Sequence, residues 1–182
     1  DRIVSIAGPG ILEGQTGYFR LREGFPISDL VEGRIAKKPT RFISGDPLMG
    51  HKVEIQDYLG PDDYVFCAIP EDVKRELLHF FRLGLNKYSH TGAYLSGHLN
   101  NKNREYDFTT SQHGEKRAFI DPAPYDSVMP LSIPTMELVK AVMSENYELA
   151  DDLGFLEVHP EDFALPTFVC ISKIDMVNII RD

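Results

Sequence analysis

Apolar and polar residues alternate along four short stretches near the start of the chain, which is the pattern of strands that bury one face. These stretches are residues 2–7, 18–22, 41–44 and 52–56. In the last of them, the pattern places Val53 and Ile55 together on one face. Between the second and third stretches, apolar residues recur at helical spacing, and a proline before them and a glycine after them favour a short helix. They are Ile27, Leu30 and Val31, flanked by Pro26 and Gly33.

Two strands, a short helix and two more strands follow the order of a β-grasp domain, so we predict such a domain over residues 1–60. Gly45-Asp46-Pro47 predicts a sharp turn after the third strand, because glycine tolerates a positive φ and proline fixes its own φ. The glycine-proline-aspartate sequence at residues 60–63 breaks the chain. We therefore predict a second, C-terminal domain over residues 64–182.

The second part of the chain is predicted to be mainly helical, which makes the whole chain α+β. Apolar stripes at helical spacing predict helices over residues 71–83, 135–146 and 147–153, with one helical turn at 160–164. A last helix is predicted from Lys173 onward, with Ser172 as its cap and Asp175 in its first turn. Residues 88–99 fit a helix or an ordered loop. A short hairpin is predicted from residues 106–110 and 117–120, followed by an irregular connector over 121–134, which carries four prolines.

The composition is that of a globular chain, with 42% hydrophobic and 26% charged residues. The net charge of −9 argues against a nucleic-acid partner, since phosphate binding needs concentrated lysine and arginine. Cys67 and Cys170, the two cysteines, lie in apolar runs, and the run around Cys67 (residues 64–69) is strand-like. We expect both to be buried free thiols. No apolar run approaches the ~18 residues of a membrane span.

The sequence carries no strong signature of an active site. The glycines at residues 8–10 lack the spacing of a dinucleotide or phosphate loop, and the histidines are too scattered to pair as metal ligands. Ser89-His90, and Ser111 with His113, are neighbours in sequence only and lack the strained turn of a nucleophilic serine. We therefore expect no catalytic residue, no resident cofactor and no metal site in this chain.

Four stretches, taken in order, resemble the A subunit of bacterial sodium-translocating NADH:quinone oxidoreductases. They are EDVKRELLHFFRLGLNKYS (71–89), YDFTTSQHGEKRAF (106–119), YDSVMPLSIPT (125–135) and LGFLEVHPEDFALPTFVCISK (153–173). RFISGDPLMG (41–50) resembles the signature of the soluble-ligand-binding β-grasp domain that precedes the helical end of that subunit. The resemblance also implies that this chain is a portion of a longer subunit.

The resemblance implies a peripheral, cofactor-free role in a respiratory complex that couples electron transfer from NADH to ubiquinone with sodium export. Flavins, iron–sulfur centres and the NADH site are then expected on other subunits, with ubiquinone a candidate ligand of the complex. The expected partner is the membrane-embedded B subunit, at the cytoplasmic face of the bacterial inner membrane. Related domains hold an iron–sulfur cluster near their C-terminus. Such a cluster needs about four thiolates, and the matching stretch here offers Cys170 alone.

Two functions remain open on these grounds. The first is subunit docking, for which a polar-aromatic loop after Gly84 is the candidate, because loops carry binding more often than framework elements; its residues are Lys87, Tyr88 and Ser89. An ordinary connection between helices explains the same loop. The second is a ligand-binding module whose β-grasp aromatics accept a quinone head group. Those aromatics are Phe19, Phe25, Phe42, Tyr58 and Tyr64, and core packing explains each of them as well.

Overall fold

The computed structural model describes residues 1–36, 39–72, 81, 83–85, 87–90, 92, 94–96, 99, 105–106, 108–112 and 116–182. The chain divides into two compact units. The first comprises residues 1–88 and 94–112, and the second comprises residues 89–93 and 113–182. That residues 1–60 and residues 64–182 form two separate domains, as inferred from the sequence, stays a prediction. The predicted helix over 71–83 falls largely outside the described residues.

The first unit is built on a five-stranded mixed sheet. Its strands are β1 (Arg2–Ala7), β2 (Gly17–Leu21), β3 (Thr40–Ser44), β4 (His51–Val53) and β5 (Val65–Pro70), with the short helix α1 (Ile27–Val31) after β2. The strand order is β2-β1-β5-β3-β4. β1 and β5 run parallel, and the other neighbouring pairs are antiparallel. This arrangement confirms the α+β class and places a β-grasp sheet at the front of the chain.

The core of the first unit lies on the face of the sheet that α1 covers. Val4 and Ile6 alternate inward along β1 while Ile3 is exposed, so the period-two pattern correctly identified the buried face. Ile27 and Leu30 of α1 belong to the same buried cluster. By contrast, β5 has three successive buried residues, as expected of a strand at the centre of a sheet.

The turn after β1 approaches the backbone of β5 very closely. Gly8 has a φ of +114°, and a Cβ atom there would lie 2.2 Å from the carbonyl oxygen of Ala68. The N–H of Gly10 donates to that same oxygen at 2.8 Å. Because a side chain at residue 8 would occupy the space of the β5 backbone, this turn requires glycine.

The prediction of a strand over residues 52–56 is wrong beyond Val53. The chain turns at Glu54, whose N–H donates to the Asp57 carboxylate at 2.7 Å, while the N–H of Asp57 donates to the Glu54 carbonyl at 3.1 Å. The turn rotates Ile55 out of the face that Val53 occupies. Val53 is consequently buried, whereas Ile55 is half exposed.

The described part of the second unit is helical. It contains α2 (Ala123–Asp126), α3 (Thr135–Met143), α4 (Tyr147–Asp152), α5 (Ala164–Val169) and α6 (Met176–Arg181), with 3-10 turns at Phe155–Glu157 and Pro160–Phe163. Helix α6 packs against α3, α5 and the second of these turns. Gly154, with a φ of +93°, ends the stretch that contains α4, as the sequence indicated.

Four details of the C-terminal part of the chain differ from the prediction. The proline-rich connector contains one helical turn, α2, because Pro122 and Pro124 lie at its start, where a missing N–H costs nothing. Helix α5 was missed because Pro166 interrupts its apolar run, although a proline in a first turn is tolerated. Asp175, not Ser172, caps α6 by accepting from the N–H of Asn178. The short hairpin is wrong, since residues 106, 108–110 and 117–120 contain no strand.

Candidate functional site

The predicted docking residues follow a turn that begins at Gly84. The N–H of Lys87 donates to the Gly84 carbonyl at 3.0 Å, and Gly84 has a φ of +62°. Lys87, Tyr88 and Ser89 are all half-buried. Lys87 and Tyr88 belong to the first unit, whereas Ser89 belongs to the second. The three residues therefore include one of the places where the chain passes from one unit to the other.

Tyr88 anchors this segment in an aromatic cluster. Its ring packs edge-on against Tyr106, with centroids 5.8 Å apart, and against Phe108, with centroids 5.9 Å apart. Burial in this cluster raises the pKa of Tyr88, so its hydroxyl stays protonated at neutral pH. Sequence reasoning placed Tyr88 in a loop, but it missed both aromatic partners because they lie about twenty residues further along the chain.

The RFISGDPLMG stretch forms a tight turn between β3 and β4. The Asp46 carboxylate accepts from the N–H groups of Leu48 and Met49 at 2.7 and 3.1 Å. The Asp46 carbonyl accepts from the N–H of Gly50 at 2.8 Å. Gly45 takes a φ of +97°, and a Cβ atom on it would lie 2.8 Å from the Gly50 Cα. The carboxylate and both glycines of this motif are thus used to build the turn.

Ser44, at the end of β3, connects this turn to the chain that enters β5. Its side chain is buried and donates to the Asp63 carboxylate at 2.5 Å. The same hydroxyl oxygen accepts from the N–H of Gly60 at 3.1 Å. These hydrogen bonds hold residues 60–63 against the sheet, so this segment is an ordered connection within the first unit.

A second polar cluster lies where β5 ends. Arg41 donates to both carboxylate oxygens of Glu71, from Nε at 2.9 Å and from Nη2 at 2.6 Å. The Thr110 hydroxyl donates to Glu71 Oε1 at 3.3 Å and accepts from the N–H of Asp72 at 2.8 Å. The hydrogen bonds from Arg41 lower the pKa of Glu71. The cluster joins three segments of the first unit through one carboxylate.

We expect Glu71→Gln to remove a pH-dependent contribution to the stability of the first unit. Because the pKa of Glu71 is lower in the folded state, ionised Glu71 stabilises above its unfolded pKa of about 4.3. That contribution disappears as the pH falls through the folded pKa. The pair is partly exposed, so we expect no more than about 1 kcal/mol at pH 7.

Urea unfolding of the wild type and Glu71→Gln at pH 7 and at about pH 3 would measure this difference. The control is Glu54→Gln, which removes the exposed pair between Lys52 and Glu54. A Glu71→Gln deficit that is the same at both pH values would contradict the expectation.

In the second unit, a hydrogen-bonded turn follows α5. The Sγ atom of Cys170 lies 3.4 Å from the Tyr125 hydroxyl and also accepts from the N–H of Ile174 at 3.4 Å. The Thr167 hydroxyl oxygen accepts from the N–H groups of Met176 and Val177 at 3.2 and 3.4 Å. Burial raises the pKa of Tyr125, and its hydrogen bond with Cys170 raises it further. Cys170 and Thr167 thus provide acceptors for backbone N–H groups at and just before the start of α6.

We expect Thr167→Val to lower the free energy of unfolding of the second unit by about 1–3 kcal/mol, because two half-buried N–H groups lose their acceptor. Thr167→Ser keeps the hydroxyl and should cost less. Chemical denaturation followed by tyrosine fluorescence measures both. A loss for Thr167→Ser as large as the loss for Thr167→Val would contradict a dominant contribution of the hydroxyl.

Neither cysteine is arranged as a cofactor ligand. Both are free and buried. Burial raises the pKa of Cys67, and the nearby Asp46 carboxylate raises it further, so the thiolate is disfavoured. Among the described residues, no three histidine, cysteine, aspartate or glutamate side chains come together as a metal would require. Cys170 therefore lacks the additional ligands of a cluster in that part of the chain.

The proposed quinone-binding aromatics have two different environments. Phe19, Phe25 and Phe42 pack against the buried cluster of the first unit. Tyr58 and Tyr64 are instead 65% and 60% exposed, and the Arg2 guanidinium lies 5.6 Å from the Tyr64 ring. The three phenylalanines are explained by the core. Of the serine–histidine neighbours in the sequence, His113 lies outside the described residues.

No helix in the described part of the chain is both long and apolar enough to cross a lipid bilayer.

Comparison with known proteins identifies the relatives of this chain. Residues 3–54 match the model of a family described as the NQRA C-terminal domain. Over 184 residues, the whole chain is 42% identical to the A subunit of the Na(+)-translocating NADH-quinone reductase of Chlamydia caviae and covers 39% of it. The corresponding protein is 39% identical in Chlamydia pneumoniae, with 39% covered, and 35% identical in Saccharophagus degradans, with 40% covered.

The chain spans about two fifths of the length of these curated relatives, and the similarity extends over all of its own length. The family model covers most of the five-stranded sheet, from β1 through β4. The resemblance inferred from the four sequence motifs is confirmed. The chain is thus similar over its whole length to A subunits of Na(+)-translocating NADH-quinone reductases, and its residues 3–54 match the NQRA C-terminal domain.

Proposed function

We propose that this chain is a cofactor-free, non-catalytic portion of a sodium-pumping NADH:ubiquinone reductase, and that it serves the docking of subunits. The observation that carries the proposal is the similarity of the whole chain to the A subunits of such reductases. We propose the membrane-embedded B subunit as its main partner, at the cytoplasmic face of the bacterial inner membrane. Flavins, iron–sulfur centres and the NADH site then belong to other subunits.

The polar contacts of the described residues support a structural role. Ser44, Asp46 and Glu71 hold turns and strand ends in the first unit. Thr167 and Cys170 satisfy backbone N–H groups in the second. Side chains that are held by the fold's own backbone are poorly suited to proton transfer or nucleophilic attack, which need a group presented to substrate.

We propose that Lys87, Tyr88 and Ser89 contribute to docking. The aromatic contacts of Tyr88 hold the segment in place, and such anchoring limits the conformational entropy that is lost when a partner binds. Because Lys87 directly precedes Tyr88, the packing of the Tyr88 ring also restricts the backbone at Lys87.

The test is assembly of the full-length protein with the rest of the complex. We expect the wild type to co-purify with the B subunit, and the isolated protein to oxidise no NADH. Lys87→Glu should weaken assembly more than the matched surface reversal Lys52→Glu does. A wild type that fails to bind the complex would overturn the docking role, and one that oxidises NADH alone would overturn the non-catalytic role. Saturable quenching of tyrosine fluorescence by a water-soluble quinone, without binding to the complex, would favour the ligand-binding function instead.

A further inference from the structure

An open groove of about 420 Å³ lies in the second unit, beside the start of α6. Three cationic side chains line it: Lys116, Arg117 and Lys173. In the described part of the chain, none of the three forms an ion pair. A local group of three cations is notable in a chain whose net charge is −9.

The groove also contains two carboxylates, Asp175 and Asp182. Asp175 is the N-terminal cap of α6. One of its oxygens accepts from the N–H of Asn178 at 3.2 Å, and the other accepts from the Asn178 side-chain amide at 2.8 Å. The hydrogen-bonding capacity of Asp175 is thus partly used within the helix start. With two carboxylates against three cationic side chains, the lining keeps a small excess of positive charge.

A hydrogen bond ties together the two backbone segments that carry the cations. The buried Ser172 hydroxyl donates to the Ala118 carbonyl at 3.0 Å, which ties the segment that carries Lys116 and Arg117 to the turn that carries Lys173. Lys173 itself has a φ of +53°, a left-handed conformation that is unfavourable for a residue other than glycine. Strain of this kind persists only where the surroundings enforce it.

The walls between these cations are apolar. Ile174 and Ile179 line the groove and are half-buried. Lys173 is half-buried too, and this burial lowers the pKa of its amine. A desolvated ammonium group gains more from a neighbouring carboxylate than a fully hydrated one does. The groove therefore combines positive charge with apolar surface.

We propose that this groove receives an acidic segment of a partner subunit, with carboxylates against Lys116, Arg117 and Lys173 and an aliphatic side chain against Ile174 and Ile179. The proposal rests on the docking function proposed above. Charge complementarity selects an acidic partner. The planar fork of Arg117 suits a carboxylate in particular, and the isoleucines add apolar contact that a free inorganic anion would not use.

The test uses the full-length protein carrying Lys116→Glu and Arg117→Glu, rebound to the complex from which the native copy has been removed, over a series of NaCl concentrations. We expect the dissociation constant at low salt to rise about tenfold or more, and its dependence on salt to weaken. Arg20→Glu with Arg22→Glu changes the net charge equally at two exposed positions in and directly after β2, and should change the constant by less than about twofold. Arg117→Lys keeps the charge and should retain the salt dependence.

Each outcome decides one proposal. If the wild type binds and the groove variant binds equally well, the groove has no such role and the docking function stands. If the wild type does not bind, the docking function fails. If the variant loses only binding to anionic phospholipid vesicles or to inorganic phosphate, the acidic-segment proposal is overturned. Thermal unfolding of both double variants confirms that each remains folded.

Discussion

Replacing Phe66 with alanine is expected to lower the free energy of unfolding of the first unit by about 3–5 kcal/mol. The Phe66 side chain is fully buried on β5, the central strand, and its ring stacks on Phe42 with centroids 6.0 Å apart. Its removal would leave a cavity within the buried cluster of the first unit, because close-packed surroundings relax only partly. Since the chain has no tryptophan, circular dichroism and tyrosine fluorescence are the suitable probes.

Two further variants make this measurement specific. Tyr18→Ala removes an aromatic ring that is 81% exposed and should change stability by less than about 0.5 kcal/mol. Phe163→Ala removes a fully buried ring of the second unit and should destabilise that unit. If Phe66→Ala and Phe163→Ala shift one common unfolding transition by the same amount, the two units unfold together. A loss below about 1 kcal/mol for Phe66→Ala would contradict its place in the core.

The second large effect is expected for Gly8→Ala, which should cost about 3 kcal/mol or more. Alanine at residue 8 would need a φ near +114°, and its Cβ would lie 2.2 Å from the Ala68 carbonyl oxygen. Since that atom belongs to the backbone of the central strand, it cannot move without disturbing the pairing of β5 with β1 and β3.

Gly33→Ala is the matched control for Gly8→Ala. Gly33 also has a positive φ, +70°, but nothing lies within 4 Å of its added Cβ. It should therefore cost only the strain of the left-handed conformation, about 1–2 kcal/mol. The difference between the two variants, measured in the same denaturant series, isolates the close approach. Equal losses would show that conformational strain alone accounts for both.

The elements that the sequence predicted well are those set by local patterns. β1, β2, β3 and α1 each carry their own periodicity and their own flanking turn residues, so their existence follows from short windows. The position of β5 does not. A strand buried on both faces shows an unbroken apolar run without alternation, and such a run does not indicate which strands will be its neighbours.

The candidate sites were harder to predict for the same reason. Tyr88 was identified as a loop residue, but Tyr106 and Phe108 come together with it only through the fold. The groove beside α6 was missed because Lys173 is more than fifty residues away from Lys116 and Arg117 in sequence. Ile55 was misplaced because a single side-chain acceptor, the Asp57 carboxylate, ended the strand before it.

The central position of β5 has a consequence for how the protein forms on the ribosome. β5 lies between β1 and β3 in the sheet and is synthesised after both. The β1–β2 pair and the β3–β4 pair therefore remain separate until β5 has been synthesised. Until then, both pairs present unpaired edges, which can associate with other nascent chains. Completion of the sheet depends on distant parts of the sequence, and such contacts form slowly. Protein synthesis that stalls before residue 65 is therefore expected to yield aggregating or chaperone-bound chains.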